Sequence, residues 1–328
     1  MRAMVLDGPG RLLRPAELPD PEPGPGQVRV RVRACGVCRT DLHIVDGELP
    51  DAAFPLILGH QIVGMVDAVG PGVSGPAVGD RVGVPWLGWT DGTCWYCTTD
   101  RENLCPQARF TGYQIDGGYA ELAVADARYC LPVPERFDDL DAAPLLCAGL
   151  IGYRALRIAG EARTLGLYGF GNSARLVAQV ARARGSRVFA FTRPGDRATQ
   201  AEAIDLGCEW AGDSTDPAPE PLEAAILFAS VGELVPMALA SVAPGGNVVC
   251  AEIHMSDIPS FPYELLWRER RLVSVANLTR RDGAEFLLVA AELGLSTATT
   301  PFPLERAQDA LDAARSGRAG TAVLLPGT

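Results

Sequence analysis

Along the first 145 residues, apolar side chains recur in short runs that turn residues interrupt. Gln27-Val28-Arg29-Val30-Arg31-Val32-Arg33 alternates apolar and charged positions with period two. Successive strand side chains point to opposite faces, so this run predicts a half-buried β-strand. Valine-rich stretches at 62–69, 81–84 and 119–124 predict further strands, with Gly and Pro between them demanding tight turns. The succession predicts a compact all-β module.

The period changes near Pro144. Residues 148–159 carry apolar positions at helical spacing, 164–170 read as a short buried strand, 173–184 as a helix and 187–191 as a second strand. Strand-like runs follow at 224–228, 247–251 and around 272–275. Strands alternating with helices predict βαβ units and a parallel sheet. Beyond about Arg281, helices over 283–293 and 304–316 and a strand over 322–324 close the chain, with no internal repeat. The expected organisation is a β-rich domain at 1–150, a doubly wound domain at 151–280 and a return of 281–328 to the first.

Composition narrows the chemistry. A chain of 328 residues is long for a single core, in keeping with two domains. No stretch approaches the roughly 18–20 apolar residues of a membrane-spanning helix. The N-terminus lacks the apolar core and cleavage site of a signal peptide, so a cytoplasmic protein is expected. A net charge of −11 argues against nucleic acid or an anionic membrane as partner and leaves a small molecule. All 29 basic residues are arginine, which excludes a Schiff-base lysine, a P-loop lysine and a kinase-type ion pair. Histidine occurs only at 43, 60 and 254, and the nine cysteines read as thiols and metal ligands rather than disulfides. His254 has no partner motif and reads as structural.

Three segments carry candidate chemistry. Cys38 is followed 22 residues later by His60, and Cys147 lies in Leu145-Leu146-Cys147-Ala148-Gly149. A catalytic zinc needs three N/S ligands and one open position, which this set would provide; buried cysteines and core histidines are common, so spacing alone leaves the matter open. Leu165-Gly166-Leu167-Tyr168-Gly169-Phe170-Gly171-Asn172-Ser173-Ala174 ends a predicted strand and opens a predicted helix. Gly169, Gly171 and Ala174 form a G-x-G-x-x-A version of the dinucleotide fingerprint, the pyrophosphate lying at the helix N-terminus. At the end of the next strand, an NAD enzyme places a carboxylate on the ribose 2′-OH. This chain has Thr192 there, followed by Arg193, which favours NADP and leaves NAD open.

In combination, Cys35-Gly36-Val37-Cys38-Arg39-Thr40-Asp41-Leu42-His43, Gly59-His60-Gln61-x2-Gly64-x5-Gly70-x2-Val73, Leu145–Gly149 and the glycine-rich turn resemble the zinc-containing alcohol dehydrogenases of the medium-chain dehydrogenase/reductase family. The resemblance implies an α/β architecture, a GroES-like β-rich catalytic domain plus a Rossmann doubly wound parallel-sheet domain. It implies reversible hydride transfer between an alcohol and an aldehyde or ketone with NAD(P), in a homodimer or homotetramer. Cys38, His60 and Cys147 become the catalytic zinc ligands, with Asp41 orienting the histidine; Cys35 is not a ligand. Thr40, the cofactor ribose and His43 form a proton relay, Arg39 contacts the pyrophosphate, and Trp86 is a wall of the substrate pocket. Gln61 departs from the family, which has Glu there, and brings no charge to the metal.

The family's structural zinc lobe carries four cysteines where this chain has Asp91, Cys94, Cys97 and Cys105. Aspartate is an acceptable ligand, so either the lobe holds zinc or it keeps three free thiols. Two rival functions remain. A zinc-free quinone or enoyl reductase of the same superfamily would lack the Cys38, His60 and Cys147 set, and a silent zinc- and nucleotide-binding sensor would show no turnover.

Overall fold

The computed structural model describes residues 1–317 and 320–327. The chain divides into two compact units, Met1–Leu150 with Asn277–Thr328, and Ile151–Ala276.

The first unit opens with strands β1 (Arg2–Leu6), β2 (Arg14–Glu17) and β3 (Gln27–Gly36), then helix α1 (Arg39–Val45). There follow β4 (Leu56–Ile57), β5 (Gln61–Val69), β6 (Arg81–Val84), β7 (Leu87–Trp89), β8 (Arg109–Phe110), β9 (Leu122–Asp126) and β10 (Leu131–Pro132), and the short helix α2 (Asp139–Ala142); α3 (Ala148–Ala159) begins here and runs mostly in the second unit. The alternation read in β3 is realised, with Val28, Val30 and Val32 buried while Arg29 and Arg31 turn outward to Asp67. β3 pairs antiparallel with β5 and β9. Its register with β5 sets Gly36 opposite Gln61. That pairing brings the segment leaving β3, with Cys38, beside the segment entering β5, with His60.

The strand expected over 119–124 begins only at Leu122. Gly117 packs on the backbone of Leu58 and Gly59 so closely that a Cβ would lie 2.1 Å from a carbonyl oxygen. Tyr119 then donates its N–H to Leu58 O outside the long ladder. Its ring is fully buried in a core with Leu6, Ile44, Leu58 and Ile62.

The second unit contains β11 (Thr164–Tyr168), α4 (Asn172–Ala183), β12 (Arg187–Thr192), α5 (Arg197–Asp205), β13 (Trp210–Asp213), β14 (Leu222–Leu227), α6 (Leu234–Ser241), β15 (Val242–Cys250) and β16 (Arg271–Ser274). All six strands run parallel in the order β13-β12-β11-β14-β15-β16. The order reverses between β11 and β14, the point where doubly wound sheets bind ligands. β11 is buried at every position, as a strand covered on both faces must be.

From Asn277 the chain belongs to the first unit again, four residues before the expected return at 281. Thr279 caps α7 (Arg280–Leu293) through a capping box with Asp282, so this helix starts ahead of the apolar spacing that marks it. β17 (Thr299–Pro303), α8 (Ala307–Arg315) and β18 (Thr321–Leu325) complete the fold. β18 pairs with β3, Leu324 opposite Cys35. Among the described residues no single helix is long and apolar enough to cross a membrane.

Candidate functional site

Local structure places each candidate ligand. Cys38 is the N-cap of α1, and its N–H donates to Asp41 Oδ2 at 2.8 Å. His60 follows Gly59, whose φ of +97° is open only to glycine without strain and whose Cβ would collide with Tyr119 and the Cys35 sulfur. Cys147 ends a 3₁₀ turn over Ala143–Leu146. The Cys38 and Cys147 sulfurs lie 3.6 Å apart, and both approach the His60 ring, with all three ligand atoms within 4.8 Å of one another. Tetrahedral zinc with S at about 2.3 Å sets its sulfurs about 3.8 Å apart. His60 Nε2 is buried without a hydrogen-bond partner, while Nδ1 faces Asp41 Oδ1 at 3.4 Å. An imidazole fixed on one side by a carboxylate, with its other nitrogen aimed at two thiols, is what a zinc ligand requires.

The electrostatics agree with the donor set. The Cys38 thiol is pulled well below its ordinary value, first by the hydrogen bond with Cys147 and, against burial, by His60. Burial works against charge on His60, but Asp41 and Cys38 outweigh it and push the ring up to about 10. Zinc at this site would require deprotonated thiols and a neutral His60 ring. Cys35, by contrast, points into the core, where burial pushes its thiol up.

Around the triad, Thr40 Oγ1 lies 3.7 Å from the Cys38 sulfur. His43, buried, is one turn further along α1, and Arg39 is exposed at the helix start. Gln61 is buried, its Oε1 so close to Gly36 that a Cβ there would lie 2.2 Å away. Trp86 meets the His60 ring edge-on at 4.8 Å between centroids and stacks on Phe110 at 5.1 Å and Tyr113 at 5.6 Å. Sequence reasoning missed Phe110 and Tyr113, for no spacing rule links them to Trp86. It also missed Tyr119, whose hydroxyl donates to Asp41 Oδ2 at 3.1 Å. Glu48, paired with His43 Nδ1, was missed as well; its signal was a glycine four residues after the histidine.

The second cluster brings Asp91, Cys94, Cys97 and Cys105 together, their ligand atoms within 4.8 Å. Asp91 Oδ1 accepts from the N–H groups of Thr93 and Cys94, and Oδ2 faces the Cys105 sulfur at 3.3 Å. The Cys94 and Thr93 N–H groups, ahead of the cysteine thiols, hold this carboxyl well below the usual carboxylate range. An ionised oxygen among three thiols suits a tetrahedral cation.

In the second unit, Gly169 turns the chain after β11 with φ +87°. Gly171 is the N-cap of α4, and the space its Cβ would take is empty. Ala174 is fully buried, allowing the close helix–strand packing of a dinucleotide cradle. Thr192 turns its hydroxyl inward, donating to Gly212 O at 3.2 Å and accepting from Gln200 at 3.0 Å. Arg193, next along, is exposed.

The alcohol dehydrogenase GroES-like domain model matches residues 24–135. A probable alcohol dehydrogenase AdhA of Mycobacterium tuberculosis is 47% identical over 302 residues, covering 89% of this chain and 86% of that one. Among solved structures, a cinnamyl alcohol dehydrogenase from Sorghum bicolor superposes with a TM-score of 0.89 at 26% identity, over 98% of this chain and 96% of its own. A structure described as an NAD-dependent alcohol dehydrogenase gives 0.89 at 26% identity over 100% of both chains. Full-length likeness, a buried histidine aimed at two thiols, and a glycine cradle at the switch of a parallel sheet converge: this chain belongs to the zinc-dependent alcohol dehydrogenases of the medium-chain dehydrogenase/reductase family, which transfer hydride between alcohols and carbonyl compounds with NAD(P).

Proposed function

We propose that this chain interconverts a small alcohol and its aldehyde or ketone using zinc at Cys38, His60 and Cys147, with NADP preferred over NAD. The convergence of those two sulfurs and one imidazole carries the reading. It also removes the ground for a zinc-free reductase, which has no use for the set. Bound there, zinc supplies a Lewis acid for the substrate oxygen, and the nicotinamide supplies the hydride chemistry.

The chain's own residues do the rest. Thr40 and His43, three residues apart on one side of α1, are the chain's own members of a proton relay that the cofactor ribose would complete, Thr40 receiving the substrate's proton at Oγ1 and His43 releasing it toward solvent. Trp86, backed by Phe110 and Tyr113, offers a flat apolar wall beside His60, which supports primary alcohols and aldehydes, aromatic ones included. Gln61 leaves the metal's surroundings one carboxylate poorer than in the family pattern, with an amide oxygen and no charge where the family has Glu.

Gly169, Gly171 and Ala174 cradle the pyrophosphate, and Arg39 pairs with it. Arg193 supports NADP because no carboxylate stands at position 192 to repel a 2′-phosphate. Asp213, opposite Thr192 on β13, is already engaged by the Gly195 N–H and by Gln200. Asp91, Cys94, Cys97 and Cys105 hold a structural zinc. A homodimer or homotetramer is supported by β16, an edge strand with Tyr263, Trp267 and Val273 exposed nearby. Nine cysteines without a disulfide support a reducing, cytoplasmic setting.

The test is zinc quantification in wild type and Cys38→Ala, with initial rates for a panel of aldehydes. Wild type is expected to hold about two zinc ions per chain, and Cys38→Ala to lose one of them and at least about a thousandfold in rate. Full activity in Cys38→Ala overturns the mechanism; zinc and nucleotide binding without turnover of any aldehyde favours the silent sensor.

A further inference from the structure

Helix α1 ends in a way that its sequence dictates. Gly47 takes φ +75°, Gly47 N donates to Ile44 O at 3.1 Å, and Glu48 N donates to His43 O at 2.9 Å. These are the two bonds of a Schellman motif, in which the side chain two residues past the cap meets the one at the start of the last turn. That contact is ordinarily apolar. Here the two side chains are Glu48 and His43, and the carboxylate Oε2 pairs with the imidazole Nδ1. His43 is 7% exposed and Glu48 41%, so a buried ring faces a carboxylate that reaches water.

We propose that Glu48 is the positioning residue of the proton relay, holding His43 in the Nδ1–H tautomer so that Nε2 keeps the lone pair that takes the substrate's proton. The inference rests on the Thr40–His43 relay proposed above. A carboxylate only accepts hydrogen bonds, so the single N–H of a neutral imidazole facing it must be on Nδ1. When the proton arrives at Nε2 the ring becomes imidazolium, paired with the carboxylate, and the charge of the His43–Glu48 pair goes from −1 to 0. Loss of one proton to water returns it to −1, and nothing is oxidised or reduced.

The surroundings keep Glu48 available for this work. Arg315 of α8 interacts with Glu48, Asp46 and Asp312, while Arg39 at the start of α1 interacts with Asp46. Arg315 is committed to Asp46 by two parallel bonds of 2.8 and 2.7 Å. The one guanidinium of α8 that faces Glu48 is therefore held by another carboxylate, and Glu48 is left to the histidine.

The test is ¹⁵N-histidine NMR of the zinc-loaded enzyme, alongside steady-state kinetics. The chain has only three histidines, so each resonance is assignable. In wild type, His43 is expected as the Nδ1–H tautomer. In Glu48→Gln the amide N–H donates to Nδ1 and the ring switches to Nε2–H; kcat for alcohol oxidation falls roughly ten- to a hundredfold while KM for NADP stays within about twofold. An Nε2–H tautomer in wild type overturns the proposal, as does Glu48→Gln with unchanged tautomer and kcat. His43→Ala separates the two readings. If it keeps full kcat, the relay itself falls; if it loses kcat while Glu48→Gln does not, the relay stands and only the role of Glu48 falls.

Discussion

Thr192 and Arg193 share a peptide bond and face opposite environments. The threonine is fixed by hydrogen bonds to Gly212 and Gln200, and the arginine projects from the strand end into solvent. If Arg193 meets a 2′-phosphate, the charged bond contributes about 1.5–3 kcal/mol, a factor of roughly ten to a hundred in affinity. Arg193→Ala is thus expected to raise KM for NADPH at least about tenfold and to leave KM for NADH nearly unchanged. Equal effects on the two nucleotides would remove the case for NADP. At this scale the sequence was legible wherever a motif fixes both residue type and spacing, as at Cys38, His60 and Gly169. It was silent on Phe110, Tyr113 and Tyr119, whose roles come from contacts between segments far apart in the chain.

Elements differ in how much of their stability is local. The lobe from Asp91 to Cys105 contains only two 3₁₀ turns, Cys97–Thr99 and Glu102–Leu104, and most of its side chains are not buried. One anchor is the buried Glu102, which accepts from the Arg280 N–H at 2.8 Å. So small an apolar interior offsets little of the conformational entropy of ordering the loop, and zinc at the proposed site would contribute the rest. Asp91→Ala is expected to lower zinc content from about two ions to one per chain and to reduce the thermal midpoint by several degrees, read by metal analysis and calorimetry. Unchanged values would favour a lobe of free thiols. Elements with strong periodicity were legible: β3 from its valine–arginine alternation, and α3 at the bounds its spacing marks. β13 and α5 were not, because Trp210-Ala211-Gly212-Asp213 has no alternation and Arg197–Asp205 buries only Gln200 and Ala203.

Across the whole molecule, acidic groups outnumber basic ones 40 to 29, and many carboxylates are tied to arginines. Asp46 is held below the usual range chiefly by the Arg315 hydrogen bond, Glu121 by the Arg2 N–H and guanidinium, and Glu223 by Arg163. Their folded values lie below the unfolded ones, so each contributes stability that is complete above the unfolded range and is lost as pH falls through the folded value. The thermal midpoint is expected to be level near pH 6 and to fall progressively below about pH 4, as followed by circular dichroism. A midpoint unchanged at pH 3 would show that these pairs contribute nothing.

The order of apolar and polar positions, together with glycine and proline, determined by itself the β-rich half and the alternating half, because period and turn chemistry are local properties of the chain; the candidate ligand set came from the resemblance of its motifs to the family's. Tertiary structure alone decided that Cys38, His60 and Cys147 meet. Their convergence depends on the β3–β5 register and on the turn that carries Cys147, and register is a relation between strands that neither strand encodes alone. The pairing of His43 with Glu48 lies between the two cases. The glycine that closes the helix is written in the sequence, and the burial that turns a surface contact into a held tautomer comes from the packed fold around it.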